Sequence, residues 1–209
     1  MPAEPLTRKA RTTRDALVGA TREVVRRTGS LTPDLIAYSA DVSTATFYTY
    51  FDTKDDALAL AFDQVAGELG QAMGDLLTVD VLLDTGLESQ VRAVLEATVV
   101  VFRRDGRLWR LAVARLPEAP AVGEAFRRRQ EEAFAQAARF VRLGQRAGKV
   151  RDGEPDALAR VLMMSLYGLG QPMLEAYSAM PLDLLVGMIV GLLEPQSSTV
   201  NTTDREGDR

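Results

Sequence analysis

The sequence predicts an all-α chain in two parts: an N-terminal three-helix unit containing a helix-turn-helix, then a larger helical body. Three observations carry this prediction. Apolar residues recur at three- and four-residue spacing almost throughout, and no run alternates as a strand does. Gly and Pro fall mainly between the periodic segments. Residues 32–51 hold two short helical segments, each opened by a hydroxyl side chain and joined by a tight turn.

A first helix is expected over about 12–28, with Leu17, Ala20, Val24 and Val25 on one face and Gly29 as its stop. Thr32-Pro33-Asp34 starts a second: a hydroxyl cap, proline at the first helical position, then an acid near the positive helix end. It ends near Ala40, and Asp41-Val42 makes the turn. Ser43 caps a third helix over 44–50. Thr53 caps a fourth, with Asp56 completing an approximate capping box. The fourth runs to about 77, with Ala57, Leu58, Ala61, Val65, Leu69 and Met73 inward.

The body continues with a helix over 87–104 (Val91, Val94, Leu95, Thr98, Phe102) and a separate short one over 108–116 holding the only tryptophan, Trp109. Pro117 and Pro120 bracket a turn. A long helix over 121–147 turns Phe126, Ala133, Phe134, Ala137, Phe140, Val141 and Gly144 inward. Its Arg127, Arg128, Arg129, Glu131 and Glu132 read as a solvated outer face, because opposite charges follow directly. A helix over 156–177 is interrupted by Gly168, Gly170 and Pro172, and a last one spans 182–193. Domain limits follow: 1–56 for the arm and helix-turn-helix, 57–194 for the body, and 195–209 as a polar, disordered tail.

Composition narrows the function. With 46% hydrophobic residues in 209, the chain can bury a real core. It has no cysteine and no histidine, which removes disulfides, ordinary zinc sites and the commonest general base. No paired carboxylates or Gly-rich phosphate loop stand out, so the reading is non-enzymatic, with no metal and no cofactor. There is no apolar leader, and the longest uncharged apolar run, 184–193, is shorter than the roughly 20 residues a membrane span needs. A cytoplasmic protein without a membrane partner is expected. Net charge is −4, yet residues 1–28 carry seven basic and three acidic groups, so the remainder holds −8. A basic leading segment on an acidic body fits an electrostatic footprint for nucleic acid at one end.

Ile36, Ala37, Ala40, Val42, Phe47 and Phe51 supply a core for the helix-turn-helix, leaving Thr44, Ala45, Thr46, Tyr48 and Thr49 to face out. Methyls and hydroxyls of these types can meet thymine methyls, base edges or phosphates. Tyr48 and Tyr50 can donate to phosphates, Lys54 sits at a helix start that favours anions, and Thr32 joins the candidate contacts. Arg8, Lys9 and Arg11 are expected on a mobile arm reaching toward a minor groove.

These residues resemble a known family. Ile36-Ala37, Ala40, Val42-Ser43, Thr46-Phe47-Tyr48, Tyr50-Phe51, Lys54 and Ala57-Leu58, preceded by Leu17-Val18, Ala20 and Gly29, are similar to the DNA-binding domain of TetR-type transcriptional regulators over residues 11–62. Asp41 stands where the family commonly has glycine, Thr44 where Lys or Arg is frequent, and Ala45 where Gly is frequent. The segment 29–36 is about two residues short.

The resemblance implies a homodimer on a palindromic operator of double-stranded DNA, usually repressing, with a small-molecule effector bound in the body. It also implies a dimer face on the last two helices. There Gly168, Leu184, Gly187, Met188, Gly191 and Leu192 are the candidates. Effector candidates are Phe102, Trp109, Phe126, Phe134, Met163, Met164, Tyr167, Met173 and Tyr177, and the scarcity of inward charge points to an apolar or aromatic ligand. The alternative is a helical protein-interaction module whose helix-turn-helix touches protein instead of DNA.

Overall fold

The computed structural model describes residues 7–168 and 182–195. Among these residues the chain forms nine helices: α1 Arg8–Thr28, α2 Pro33–Ser39, α3 Thr44–Tyr50, α4 Lys54–Leu76, α5 Val79–Thr85, α6 Leu87–Arg115, α7 Pro120–Arg146, α8 Pro155–Gly168 and α9 Leu182–Leu193. No strand occurs among them.

Helix ends follow local chemistry. Gly29 takes a left-handed conformation (φ 70°) that only glycine adopts freely, and its N–H closes α1 onto the Val25 carbonyl at 2.8 Å. Ser43 Oγ accepts from Thr46 N at 3.1 Å. Thr53 and Asp56 form a full capping box: Thr53 N donates to Asp56 Oδ2 at 2.8 Å, and Asp56 N to Thr53 Oγ1 at 3.2 Å. Between α2 and α3, Asp41 sits at φ 54°, where Asp is tolerated better than most residues. This lets Val42 N return to the Ala37 carbonyl at 3.0 Å.

Three sequence expectations are corrected. Arg8, Lys9 and Arg11 are not a mobile arm; they lie exposed on the first turns of α1, because Thr7 caps the helix by accepting from Ala10 N at 3.3 Å. The separate helices expected over 87–104 and 108–116 are one, α6, because Asp105 and Gly106 are buried within it rather than turned out as breakers. Helix α5 was not anticipated: Thr78 caps it and Gly86 ends it, a pattern hidden in a seven-residue element too short for a clear period. The described part of the helix expected over 156–177 ends at Gly168; Gly170 and Pro172 lie outside the described residues.

Two apolar cores hold the helices. The first joins α1, α2 and α3 to the leading half of α4, the trailing half of α6 and the start of α7, around Leu17, Ile36, Phe47, Leu58, Phe62 and Leu108. The second joins α5, the leading half of α6, the trailing half of α7, α8 and α9, around Leu82, Leu95, Phe140, Leu162 and Ile189. Helices α4, α6 and α7 therefore run between the two ends of the molecule.

Polar clamps fix α6 against the N-terminal unit. Asp105, 1% exposed, accepts from Arg22 Nε at 2.9 Å, Arg22 Nη2 at 2.7 Å and Arg104 Nε at 2.6 Å. Arg22 also forks onto Glu68 of α4 at 2.6 and 2.9 Å. Burial pushes the Asp105 carboxyl upward, but the arginine bonds outweigh it and hold the group below its ordinary value. Arg107 donates to the Arg26 and Arg27 carbonyls at 3.1 and 3.2 Å, serving the unpaired C-terminal end of α1. Arg115 pairs with Asp55 in the first turn of α4 at 2.6 and 3.1 Å.

Asp105→Asn removes the charge and leaves two arginines short of an acceptor. It is expected to lower stability by about 2 kcal/mol in urea denaturation at neutral pH. A depressed carboxylate stabilises above its unfolded value of about 4 and loses that contribution as pH falls through the lower folded value. The gap between native and variant protein should therefore be full at neutral pH and close in acid. A gap unchanged down to the acid transition contradicts this.

Candidate nucleic-acid interface and interior cavity

Helix α3 is anchored by Phe47 and Phe51, both buried, with ring centroids 5.4 Å apart. Anchoring that face turns Ala45, Tyr48 and Thr49 outward, with Tyr48 55% exposed. Thr44, Thr46 and Tyr50 are half-buried. Thr44 Oγ1 donates to Asp34 at 2.7 Å, tying α3 to α2, and Thr46 Oγ1 lies 2.9 Å from Ser43 Oγ. Thr49 Oγ1 donates to the Ala45 carbonyl at 3.2 Å, which leaves its methyl and lone pairs for a partner. Tyr50 packs against the first core. Thr32 is exposed at the α2 cap, and Lys54 is exposed at the first position of α4.

One feature of this surface was not singled out from sequence. Tyr38 on α2 is 86% exposed. Its signal was its place directly after the buried pair Ile36-Ala37, where the helical period turns outward. Arg14 of α1 lies over the Phe51 ring at 5.9 Å, bracing the end of α3.

The body encloses a cavity of about 460 Å³ between α4, α6, α7 and α8. Phe102, Trp109, Phe126 and Met163 line it as expected from sequence, joined by Leu69 and Met73. Trp109 packs against Phe62 at 5.0 Å and Phe102 at 5.1 Å, and Phe62 stacks on Phe126 at 5.7 Å. The other five expected contributors are not among the lining residues. Phe134 sits beneath the Arg160 guanidinium at 4.9 Å, away from the lining, and Met164 is 73% exposed. Met173, Tyr177 and the side chain of Tyr167 lie outside the described residues.

The cavity is not purely apolar. Gln71, Gln130, Gln136, Arg129, Glu132 and Arg139 add a polar part to its wall. The arginine cluster of α7 is accordingly not just a solvated face. Arg129 bonds Asp63 of α4 at 2.6 and 3.0 Å and Glu132 at 2.8 Å, and Arg128 reaches Asp63 at 2.7 Å. Partial burial raises the Asp63 carboxyl, and the arginines more than reverse this, holding it below its usual range.

Space for the cavity comes from α4. A Cβ on Gly67 would lie 2.9 Å from Arg129 Nη2, and one on Gly74 would lie 2.8 Å from Gln136 Nε2. Gly70 faces open space.

On α9, Val186, Ile189, Val190 and Leu193 enter the second core, and Leu192 is half-buried. Leu184 (74%) and Met188 (54%) stay exposed beside Gly187 and Gly191. Of Gly168 only its place at the end of α8 is described. Among the described residues no helix is long and apolar enough to cross a membrane, and no His, Cys, Asp or Glu group could hold a metal ion.

No family model and no curated protein matches the sequence. Solved structures do match. A TetR transcription regulator from Haloarcula marismortui superposes with a TM-score of 0.72 at 20% identity, over 88% of this chain and all of that one. A transcriptional regulator from Saccharomonospora viridis, solved with choline, gives 0.71 at 19% identity over 89% of this chain and 100% of its own. SmeT, the repressor of the Stenotrophomonas maltophilia multidrug efflux pump SmeDEF, gives 0.64 at 22% identity over 94% and 97%. The chain has the fold of TetR-type regulators, an all-α architecture with the helix-turn-helix unit at its N-terminal end.

Because Gly70 meets no neighbour, Gly70→Ala should add helix propensity at no steric cost, raising stability by about 0.5–1 kcal/mol. Gly67→Ala must displace Arg129 and should gain less or nothing. Thermal denaturation of the two variants side by side checks the order; equal gains contradict the packing described for Gly67.

Proposed function

We propose that this chain is a ligand-responsive, DNA-binding transcriptional regulator of the cytoplasm. In this reading it is a homodimeric repressor that leaves a palindromic operator when a small, largely apolar effector enters the body. The observation that carries the reading is the course of α4. Its first residue, Lys54, follows α3 after a three-residue link, and its residues 66–73 contribute to the cavity wall. One helix of 23 residues, about 34 Å at 1.5 Å per residue, thus belongs to both sites.

The parts have distinct roles. Ala45, Tyr48 and Thr49 on α3 meet base edges and phosphates in the major groove, with Thr44, Thr46 and Tyr50 at the margins. Thr32, Tyr38 and Lys54 donate to phosphates. Arg8, Lys9 and Arg11 extend the basic surface from the first turns of α1. A two-fold dimer is required to place two such helices about one DNA turn apart, roughly 34 Å. Leu184, Gly187, Met188, Gly191 and Leu192 of α9, with the end of α8 at Gly168, form its interface. The exposed apolar side chains there favour a protein neighbour over water.

An effector seated against Phe102, Trp109 and Phe126 acts by population shift: it must bind one orientation of α4 better than the other. Tilting α4 moves Lys54 and alters the separation of the two α3 helices. The clamps of Arg22, Arg104 and Arg115 pass the same movement to α1 and the start of α4. That the fold accommodates a small molecule is supported by the neighbour solved with choline.

Selection of genomic fragments with purified protein, then footprinting of the enriched site at two salt concentrations, tests the reading. A protected palindrome, weakened by salt, is expected. Lys54→Ala should weaken binding about evenly across sequences and reduce the slope of log affinity against log salt by about 1. Tyr48→Ala should weaken the complex further. No enrichment at low salt overturns the DNA reading, and a salt-insensitive complex with a protein favours the interaction module instead.

A further inference from the structure

The cavity wall is divided by chemistry. Its α6 and α8 sides are apolar, with Phe102, Trp109, Leu162 and Met163, and the one hydroxyl there, on Thr98, donates to the Val94 carbonyl at 2.8 Å. The charged and amide side chains all come from α4 and α7: Gln71 from α4, and Arg129, Gln130, Glu132, Gln136 and Arg139 from α7. Two of these groups sit at the seam between the helices. Arg129 Nη2 lies 2.9 Å from the place of a Cβ on Gly67, and Gln136 Nε2 lies 2.8 Å from that of a Cβ on Gly74. Each pair of positions is seven residues apart, about 10 Å by helical rise. Between them Gly70 and Ala133 line the wall with nothing larger than a methyl group, and a Cβ on Gly70 would meet nothing within 4 Å. The seam is therefore unfilled between two nitrogen groups.

The charges of this side do not cancel. Arg128 and Arg129 bond Asp63, and Arg129 also bonds Glu132, so these two cations and two carboxylates neutralise one another. Arg139 is left over. It is exposed at the rim and makes no hydrogen bond or ion pair among the described residues. Asp75, one residue past Gly74, neither pairs with it nor lines the wall. The side chains of Gln71, Gln130 and Gln136 also have no hydrogen-bond partner among the described residues. Amides do not discriminate between head groups, since each offers a donor and an acceptor. The sign of the unpaired charge does. An anionic head at the rim meets Arg139 with opposite charge, and a cationic head meets it with like charge.

We propose that the ligand of this cavity is a monoanionic amphiphile, with an apolar body against Phe102 and Trp109 and a carboxylate-like head at the α4–α7 seam, where Arg139 supplies the opposing charge and Gln136 a neutral donor. This rests on the reading of the cavity as an effector site and specifies its chemistry. A head held there touches the trailing half of α4 beside Gly70 and Gly74.

Trp109 is the only tryptophan in the chain and lines the cavity, so its fluorescence reports occupancy without a label. Decanoate, decanol and decyltrimethylammonium are matched probes: equal chains with a negative, a neutral and a positive head. At about pH 8 the carboxylate is ionised. Titration of the full-length protein is expected to give decanoate about fivefold tighter binding than decanol, equivalent to roughly 1 kcal/mol, the upper range of a solvent-exposed ion pair. Decyltrimethylammonium should bind most weakly of the three. Arg139→Gln should bring decanoate to the affinity of decanol, and Arg139→Lys should keep most of the preference. Because Arg139 is exposed and unbonded among the described residues, both variants should fold and bind decanol as the native protein does. Decanoate no tighter than decanol on the native protein, or a preference that survives Arg139→Gln, overturns the proposal while leaving the cavity a ligand site. Failure of all three probes to change Trp109 fluorescence overturns the proposal and the effector reading together.

Discussion

A carboxylate removed from water stays charged only if its neighbours replace what water supplied. Asp105 meets that condition through Arg22 and Arg104, and Arg22 reaches on to Glu68. Three helices, α1, α4 and α6, supply these groups. Around this point the first core closes, with Leu17 of α1, Phe62 of α4 and Leu108 of α6 all fully buried. Without the pairing, α6 would carry a buried charge in the middle of its length and could not run unbroken from Leu87 to Arg115. The spatial relation between the helix-turn-helix and the cavity depends on that continuity.

Two other ionic contacts act in the same direction. Arg115 at the end of α6 holds Asp55 at the start of α4, one residue from Lys54. Arg129 and Arg128 of α7 hold Asp63 further along the same helix. Helix α4 is thus held along its length by directional bonds, and Arg129, which holds Asp63, also borders Gly67 in the cavity wall. One helix therefore packs against α1 to α3 in the first core at its leading end and forms part of the cavity wall at its trailing end.

Much of this was legible in the sequence where short-range chemistry decides. The caps at Thr32, Ser43 and Thr53, the stop at Gly29 and the turn at Asp41-Val42 depend on neighbours within four residues, and each lies where the sequence placed it. The apolar part of the cavity wall was half legible: Phe102, Trp109, Phe126 and Met163 line it, whereas Phe134 and Met164 share their residue types and spacing but face elsewhere. Periodicity says which face is buried, not which neighbour it meets. The polar clamps were not legible. Arg22 and Asp105 are 83 positions apart, and nothing local marks a charged residue in an amphipathic helix as a buried partner. The same blindness split α6 in two: Arg103 to Gly106 reads as a solvated break until the partner of Asp105 is known. Buried Gln90, whose amide nitrogen donates to the Leu76 and Thr78 carbonyls, escaped for a related reason: those partners lie at the junction of α4 with α5, an element too short to be seen.

The central claim is that a change in the cavity is felt at α3. The most direct measurement is operator affinity of Gly70→Leu, which places a side chain into the cavity 16 residues, about 24 Å by helical rise, from Lys54. The account predicts weakened operator binding in a variant whose helical content and thermal stability do not fall below those of the native protein. Native operator affinity in that variant, with the cavity shown to be filled by a changed Trp109 emission, would contradict it.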